Sequence, residues 1–484
     1  MTCRVPCSPA PGLLEDYAAQ FDALLPNVAQ RRANRAYLQG LLLPRERNKT
    51  LTGLAGTEPV VGAQAPPAQR LQWFLSESAW DAEAVNDRRL ESLVADPVTR
   101  PHDGGVLVID ETGDRKDGMK TAHVAHQYRG SVGRIANGIV SVTSLWADED
   151  VYYPLHVAPY TPAKRLPKGN ADPAFRTKPQ LAVTLVDAAI AAGFSFRAVV
   201  AECLYGEHPA MQTALWEGAI PYVMGLRAHR GSWAPADDPH TPEDAARVVP
   251  WTSPRQPGGW TAVVRHFRDG HRETWWAADL RLAGMAVEKA LRLVAVTTDP
   301  ARLPADSTWY LLTNLPHPDA PHAATSPFTP ADLTEIARLY GLRTWVEQGY
   351  KQMKQELGWA DWQMRSDRAI RRHWALVCCA FSFCWWAWSR APNGAAVPTG
   401  TTTSDQPVPV ANAGRGENVA ATHPARRPAE RVVARGAAAG PGLAAPWTLL
   451  WRWWRAWSPL PPPPPLQALL DWLWHGRPID CFVR

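Results

Sequence analysis

A phenol, a guanidinium, a carboxylate and an ammonium stand at fixed gaps in the segment LYGLRTWVEQGYKQMKQELGW, as Tyr340, Arg343, Glu347 and Lys354. The segment lacks proline and is rich in helix formers, so it predicts one helix on which these side chains share an arc of roughly 60°. Lys351 adds a second cation on the same side. Such a face suits a metal ligand surrounded by phosphate-binding groups. The alternative is an exposed helix stabilised by a Glu347/Lys351 pair at i,i+4.

A strand that ends in a carboxylate lies upstream of this helix. The run VLVID at 106–110 favours β-structure, ends at Asp110 and is followed by ETGDRKDG. A buried strand of this kind can present a metal ligand, although Gly113 and Gly118 also allow a turn aspartate. The segments HVAHQYRG, GIVSVTSLWA and VYYPLHVAP predict further strands separated by turns.

The Y-(2)-R-(3)-E-(6)-K spacing resembles the signature of DDE transposases of bacterial insertion sequences, in the IS-four superfamily type that carries a β-rich insertion. The resemblance covers roughly residues 20–390 and is strongest at Asp110 and around Tyr340. It implies an α/β fold with a ribonuclease-H-like catalytic core. Two more acids besides Glu347 are then expected at the ends of strands, and Asp110 is the first.

The second acid departs from the family pattern. A helix-like segment, PQLAVTLVDAAIAAG, leads into the predicted strand FRAVVAECLYGE, where Glu202 stands in place of the expected aspartate. Glutamate binds magnesium through oxygen as aspartate does, but a misplacement of about 1 Å can cost about 100-fold in rate. Glu207 ranks below Glu202, because it lies beyond Gly206, where the strand is expected to have ended.

The resemblance implies metal-dependent phosphodiester chemistry at these acids. Asp110, Glu202 and Glu347 are the expected catalytic residues and the expected ligands of Mg²⁺ or Mn²⁺. Two ions about 3.5 to 4 Å apart can activate the attacking oxygen and stabilise the leaving one. Water would first free a 3′ hydroxyl at the transposon end, and that hydroxyl would then attack the target strand.

The resemblance also implies the partners of the other signature residues. Arg343, Lys351 and Lys354 are expected to bind phosphates, and Tyr340 is expected to hydrogen-bond to the DNA backbone near the scissile bond. The implied partner is double-stranded DNA, both as transposon ends and as target. A homodimer in the DNA complex is expected, because two ends must be joined.

Net charge is a weak indicator of function here, since the chain of 484 residues carries only +5. Local clusters are more informative. One lies between Arg338 and Arg372, and another near the N-terminus contains Arg31, Arg32, Arg35, Arg45, Arg47 and Lys49. Either cluster could contact phosphates or could be ordinary solvated charge.

Cysteine usage and hydropathy predict a reduced, cytoplasmic protein that joins the nucleoid when it binds DNA and has no membrane partner. The seven cysteines lack the paired spacing of a zinc site, and Cys378, Cys379 and Cys384 are predicted to be buried free thiols. The opening MTCRVPCSPAPG lacks the apolar core of a signal peptide. The apolar run from Ala375 to Trp388 is short for a membrane-spanning helix.

Six regions are predicted along the chain. Residues 1–100 form a helical N-terminal region that binds DNA ends or serves as a purely structural bundle. Residues 101–228 begin the ribonuclease-H-like core, 229–309 form the β-rich insertion, and 310–390 complete the core with the Y-R-E-K helix. Residues 391–446 have the composition of a disordered linker. Residues 447–484 form a Trp- and Pro-rich tail, whose proline run is either a stiff spacer or a polyproline ligand.

The insertion carries its own signals. Asp269-Gly270 between two alternating segments predicts a hairpin. Trp275, Trp276 and Trp309 could stack on an unpaired base or, as most tryptophans do, pack in the core.

The sequence as a whole therefore predicts a DNA transposase. Two alternatives stay open: a catalytically weakened or domesticated DNA-binding relative, suggested by Glu202, and a metal-dependent nuclease of the same fold without strand transfer.

Overall fold

The computed structural model describes residues 12–43, 48–58, 61–129, 134–231, 238–267, 271–281 and 291–390. The predicted linker and tail, and the turn at Asp269-Gly270, lie outside these residues. The described helices are α1 (Leu13–Ala19), α2 (Val28–Leu42), α3 (Leu51–Leu54), α4 (Pro66–Ser76), α5 (Ala82–Ala95), α6 (Lys178–Ala191), α7 (Cys203–Gly206), α8 (Pro209–Glu217), α9 (Pro242–Arg247), α10 (Leu333–Gly341), α11 (Thr344–Gln355) and α12 (Asp367–Ser389). The strands are β1 (Val106–Arg115), β2 (Ala125–Arg129), β3 (Arg134–Ala147), β4 (Tyr152–Tyr160), β5 (Ala198–Ala201), β6 (Tyr222–Leu226), β7 (Thr261–His266), β8 (Arg272–Leu280), β9 (Arg292–Thr297) and β10 (Thr308–Thr313).

A mixed sheet with the strand order β4-β3-β1-β5-β6 forms the centre of the fold. β3 runs antiparallel to β1 and β4, whereas β1, β5 and β6 run parallel to one another. β2 pairs with the far end of β3. The predicted α/β fold with its antiparallel start and ribonuclease-H-like core is therefore confirmed.

Alternation along β1 places helices on opposite faces of this core. Successive side chains of a strand point to opposite faces. Asp110 and Asp114 face α11, with cations of the segment from Arg343 to Lys354 beside them. The intervening Glu111 pairs with Lys178 at the start of α6. β5 and β6 are fully buried, as parallel strands covered on both faces are.

The insertion extends the core sheet through β10. This strand pairs with β6 on one side and with β9 on the other, and β8 and β7 follow in order. The predicted strands TAVVRHF and ETWWAADL are β7 and β8, which pair antiparallel. The short helix α9 also lies between β6 and β7, in the region predicted as β-rich. The extension covers the edge that β6 would otherwise expose.

The N-terminal helices pack around α12. The Tyr17 hydroxyl of α1 donates to the Cys379 carbonyl at 3.0 Å. Arg89 of α5 is fully buried and donates to the Pro154 and Leu155 carbonyls of β4. The predicted buried thiols Cys378, Cys379 and Cys384 lie inside this bundle and are free. Across the part of the chain that the structure describes, no helix is long and apolar enough to cross a membrane.

The prediction of one continuous Y-R-E-K helix is wrong. α10 ends at Gly341 and α11 begins at Thr344. Between them the backbone tightens to i→i+3 hydrogen bonds, in which Arg343 N donates to Tyr340 O at 3.1 Å and Val346 N donates to Arg343 O at 3.0 Å. Gly341 is a weak helix former at this point. The positions of the Y-R-E-K side chains therefore cannot be derived from the period of one helix and are described below from their contacts.

Candidate active site

Asp110 on β1 and Glu202 at the end of β5 lie side by side on two parallel strands. The predicted end of the first strand at Asp110 is wrong, because β1 continues to Arg115 through its pairing with β3. Ile109 of β1 pairs with Ala201 of β5, so the next residue on each strand is an acid. Adjacent strands are about 4.8 Å apart. β5 ends before Glu202, which is the N-cap residue of α7 and makes no side-chain capping hydrogen bond there. Its carboxylate is therefore not used to cap α7 and can face the site beside Asp110 of β1.

Arg343 connects the three predicted acids. Its Nη1 lies 2.8 Å from Glu202 Oε1 and 3.7 Å from Asp110 Oδ2, and its Nη2 lies 3.5 Å from Glu347 Oε1. Its side chain is 13% exposed, whereas those of Glu202 and Glu347 are 50% and 65% exposed. Residues from β1, the end of β5 and α11 therefore meet around one guanidinium. Glu347 approaches Arg343, and the alternative reading, a Glu347/Lys351 surface pair, does not account for this geometry.

The electrostatics of this group reflect burial and crowded like charges. Burial, followed by the charge of Glu202, raises the pKa of Asp110 to about 7, against the opposing effects of Arg343 and of the Glu111 backbone N–H. Burial lowers the pKa of Arg343, but Tyr340, Glu202 and the other two carboxylates outweigh it and raise that pKa overall. The guanidinium therefore stays charged and serves as the counter-ion of the acids.

Tyr340 is buried, with its hydroxyl against β6. A methyl group at Gly225 would lie 2.7 Å from that hydroxyl oxygen, so the glycine makes room for the phenol. Burial, opposed by Arg343, raises the pKa of Tyr340 to about 12, and the phenol stays protonated. The ring also contacts Trp309, at 5.1 Å between centroids. The phenol thus packs beside the guanidinium of Arg343, and its hydroxyl faces β6 in the protein and not the DNA backbone that the resemblance implies as its partner.

The two lysines of α11 have different surroundings. Lys351 is exposed. Lys354 lies 2.9 Å from the carboxylate of Asp114, whose side chain is 1% exposed, and also donates to the Gly113 carbonyl at 3.0 Å. Trp359 Nε1 donates to the other oxygen of Asp114 at 2.9 Å. Lys354 therefore makes structural contacts, and its side chain is 24% exposed.

Aromatic contacts fix α11 on the sheet. Trp345 stacks on Tyr152 of β4 with centroids 4.4 Å apart. The Tyr152 hydroxyl donates to Gln352 Oε1 at 2.6 Å. Between Trp345 and Gln352 on α11, Tyr350 places its hydroxyl 2.6 Å from that of Thr143. Thr143 is the residue of β3 that pairs with Asp110. These contacts hold α11, which carries Glu347, against β3 and β4.

The donor set fits a divalent cation that prefers oxygen. Asp110, Glu202 and Glu347 offer carboxylates only, and they already surround a positive group. Nη1 of Arg343 is buried without a well-directed hydrogen bond, so it is held by charge and not by a directional contact. Among the described residues, no three His, Cys, Asp or Glu side chains have the arrangement of a metal site. Arg343 occupies the space between the acids.

Sequence reasoning missed the second carboxylate layer of β1. Glu111 accepts from Lys178 Nζ at 2.6 Å and from the Tyr205 hydroxyl at 3.1 Å. Asp114 lies on the Asp110 face. The even spacing between Asp110 and Asp114 was the signal that could have predicted Asp114 on this face, because alternate residues of a strand share a face. The lower-ranked Glu207 is the C-cap residue of α7 and accepts from the Arg227 backbone N–H at 2.8 Å.

The other predicted binding groups are partly used within the protein. Arg35 pairs with Glu15 and Asp22, and Lys49 is buried with its ammonium on the carbonyls of Leu41 and Leu43. These two members of the N-terminal cluster therefore have protein partners, while Arg45 and Arg47 lie outside the described residues.

The tryptophans of the insertion pack mainly on protein. Trp275 and Trp276 are buried, as the core-packing alternative expects, and Trp309 is half-buried. The guanidinium of Arg265 lies 4.4 Å from the ring centroids of both Trp275 and Trp309. Burial lowers the pKa of Arg265 to about 10.

Comparison with known proteins gives two matches. The family described as DDE superfamily endonuclease matches residues 20–281, a range that includes Asp110 and Glu202 and ends before Glu347. Over 360 residues the chain is 33% identical to a protein of Microchaete diplosiphon named "Probable transposase for insertion sequence element IS701". That match covers 74% of this chain and 83% of the relative.

Proposed function

This chain belongs to the DDE superfamily of endonucleases and is a transposase of that class, and on that premise we propose that it cuts insertion-sequence ends and joins them to target DNA. The observation that carries the proposal is the meeting of Asp110, Glu202 and Glu347 around Arg343, although these acids are far apart in sequence. Divalent-metal dependence follows from the family.

The three carboxylates would hold the metal, which we propose to be two Mg²⁺ or Mn²⁺ ions. When bound, the ions supply charge neutralisation on the phosphoryl oxygens and a lowered pKa of the attacking water. Glu202 and Glu347 are the more exposed of the three, so they face the side from which DNA approaches, and Asp110 is the anchored ligand within β1.

The cations of the signature bind the DNA backbone. Arg343 exchanges its carboxylates for phosphate oxygens, for which its planar fork is suited. Lys351 and the open side of Lys354 contact neighbouring phosphates along α11. Tyr340 is a positioning residue that holds Arg343 in place from its buried site beside Gly225.

Two steps complete the reaction, a hydrolysis and a transesterification. In the first, the oxygen of water bonds to phosphorus at the transposon end, and the bond to the 3′ oxygen breaks, which leaves a 3′ hydroxyl and a 5′ phosphate. In the second, that 3′ hydroxyl bonds to a target phosphate and displaces the target's own 3′ oxygen. The protein acts as a homodimer because two ends must reach one target.

The test uses a supercoiled plasmid that carries both element ends, with cleaved and joined products separated on gels. Asp110→Asn and Glu347→Gln should lower Mg²⁺-dependent cleavage by about 1000-fold or more, because a metal-bound site loses a charged ligand, while end binding without metal persists. Glu207→Gln is the matched control, since this nearby carboxylate is engaged with Arg227, and it should cleave as the unchanged protein does.

The outcomes separate the alternatives. Unchanged cleavage by Asp110→Asn would refute the site. Cleavage without joined products would identify a nuclease. A large gain with Glu202→Asp would identify a weakened relative, and a loss would mean that the site is adapted to glutamate.

A further inference from the structure

Three loops beyond the end of β1 are tied together by side chain and backbone contacts. His123 lies between them: its Nε2 hydrogen-bonds with Asp367 Oδ1 at 2.7 Å, and its Nδ1 hydrogen-bonds with the Thr161 hydroxyl at 2.6 Å. The Ala122 backbone N–H also donates to the Arg365 carbonyl at 2.9 Å. Segments 115–123, 161–168 and 360–371 therefore form one surface, although they are far apart in sequence.

More contacts close this surface from either side. Arg165 donates to the Met119 carbonyl at 3.1 Å. Lys116 donates to the carbonyls of Ala360 and Trp362 at 3.1 and 2.9 Å, and its ammonium lies 3.5 Å from the Trp362 ring centroid. His123 has a φ of 64°, a backbone conformation that non-glycine residues adopt only where the surrounding contacts impose it.

The surface is strongly basic. We call it the three-loop surface. Its exposed cations are Lys120, Lys164, Arg165, Lys168, Arg365 and Arg368. The acids of the same segments have other partners, because Asp117 pairs with Arg115, Asp367 pairs with Arg371 and His123, and Asp361 accepts from the Lys49 backbone N–H. Among the described residues, none of the six exposed cations is in an ion pair.

Distance relates this surface to the candidate active site. β1 runs without interruption from Asp110 to Arg115, a rise of about 17 Å at 3.3 to 3.4 Å per residue. α11 follows the same direction, from Glu347 near Asp110 to Lys354 near Asp114. On duplex DNA, where each base pair rises 3.4 Å, this corresponds to about 5 base pairs.

We propose that the three-loop surface binds the phosphate backbone of duplex DNA, beginning about 5 base pairs from the cleaved phosphate. The partner follows from chemistry, since six cations without acidic partners on one surface suit a polyanion whose charges recur at regular intervals. The inference rests on the proposed function for its position relative to the cleaved bond. It adds a binding surface that the signature residues do not contain.

The test measures equilibrium binding without metal, so cleavage is not required. The variant Lys164→Ala/Arg165→Ala/Lys168→Ala should lower the slope of log affinity against log salt by about 2.7, if each cation neutralises one phosphate. Between 50 and 200 mM salt, the unchanged protein should then lose about 40-fold more affinity than the variant. Arg100→Ala/Arg255→Ala/Arg302→Ala removes three exposed cations elsewhere and should keep the full slope.

Duplexes trimmed on one side of the cleavage site identify which DNA is bound. Removing base pairs beyond the fifth on the contacted side, either the transposon end or its flank, should weaken binding by the unchanged protein more than binding by the triple variant, which keeps three of the six cations. Arg365→Ala/Arg368→Ala, on a different loop, should lower the slope by about 1.8. Equal slopes for the unchanged protein and both loop variants, with unchanged melting temperatures, would overturn the surface. If the salt slopes of the variants fall as expected but the unchanged protein does not cleave end-bearing DNA with Mg²⁺, the surface stands and the proposed function fails.

Discussion

Arg343 provides a direct test of how this site exchanges one cation for another. In the DNA-free protein, its guanidinium lies 2.8 to 3.7 Å from the three acids. A divalent cation at the same acids must therefore compete with it. Arg343→Gln removes the positive charge and should make metal binding by the DNA-free protein tighter, although the same change should weaken cleavage.

The magnitude follows from the distances and the exposure. A pair of unit charges 4 Å apart interacts by about 4 kcal/mol at an effective dielectric constant of 20. Solvent reduces this strongly at Glu202 and Glu347, which are 50% and 65% exposed. Removing the guanidinium should therefore make the free energy of metal binding more favourable by about 2 kcal/mol, which corresponds to about 30-fold tighter binding.

The assay is Mn²⁺ titration of DNA-free protein, followed by electron paramagnetic resonance. Arg343→Lys keeps the charge and should bind Mn²⁺ much as the unchanged protein does, while Asp110→Asn should abolish tight binding and so identify the site. Cleavage by Arg343→Gln should fall by about 100-fold or more, because the phosphate loses its bidentate partner. Equal Mn²⁺ affinity in Arg343→Gln and the unchanged protein would refute competition between guanidinium and metal.

Three further perturbations test the supports of the site. Gly225→Ala should destabilise the fold by about 1 to 3 kcal/mol through its contact with the Tyr340 hydroxyl, and adding Tyr340→Phe should restore stability in urea unfolding; no rescue would contradict the contact. Lys354→Met should cost about 3 kcal/mol because it leaves the buried Asp114 carboxylate unpaired, and Lys354→Met/Asp114→Asn should recover stability without recovering DNA affinity. Burial, with a smaller effect of Lys116, lowers the pKa of His373 to about 3, so the unfolded chain binds a proton below pH 6.5 that the folded chain does not. The stability contributed by His373 is therefore present above pH 6.5 and is lost as pH falls toward 3, by about 2 kcal/mol at pH 5. His373→Gln should show a correspondingly flatter pH dependence between pH 7 and 5.

Much of the fold could be predicted because the signals are local. The run VLVID reads as a buried strand from its own composition, and the register of β1 with β5 then puts Asp110 beside Glu202. β7 and β8 were visible as alternating segments around a turn signal. α9 was not, because a short helix inside a β-rich region has too few residues for a period to be detected.

The site was predicted in its residue types and missed in its geometry. The Y-R-E-K gaps suggested one helix, yet the backbone tightens at Leu342 and Arg343, where local hydrogen bonds and packing around Gly341 outweigh helix propensity. Asp114 escaped notice because its role depends on Lys354 and Trp359, which approach it from a distant segment.

The sequence by itself determined the chemistry: which carboxylates and cations are present, at which strand ends and helix turns, and which family they resemble. Only the tertiary structure decided how that chemistry is held. It placed Arg343 among the acids, turned the Tyr340 hydroxyl toward Gly225 and joined three basic loops through His123. The physical reason is that charge pairing and burial depend on distances between segments far apart in the chain, and the local patterns of residue type do not contain those distances.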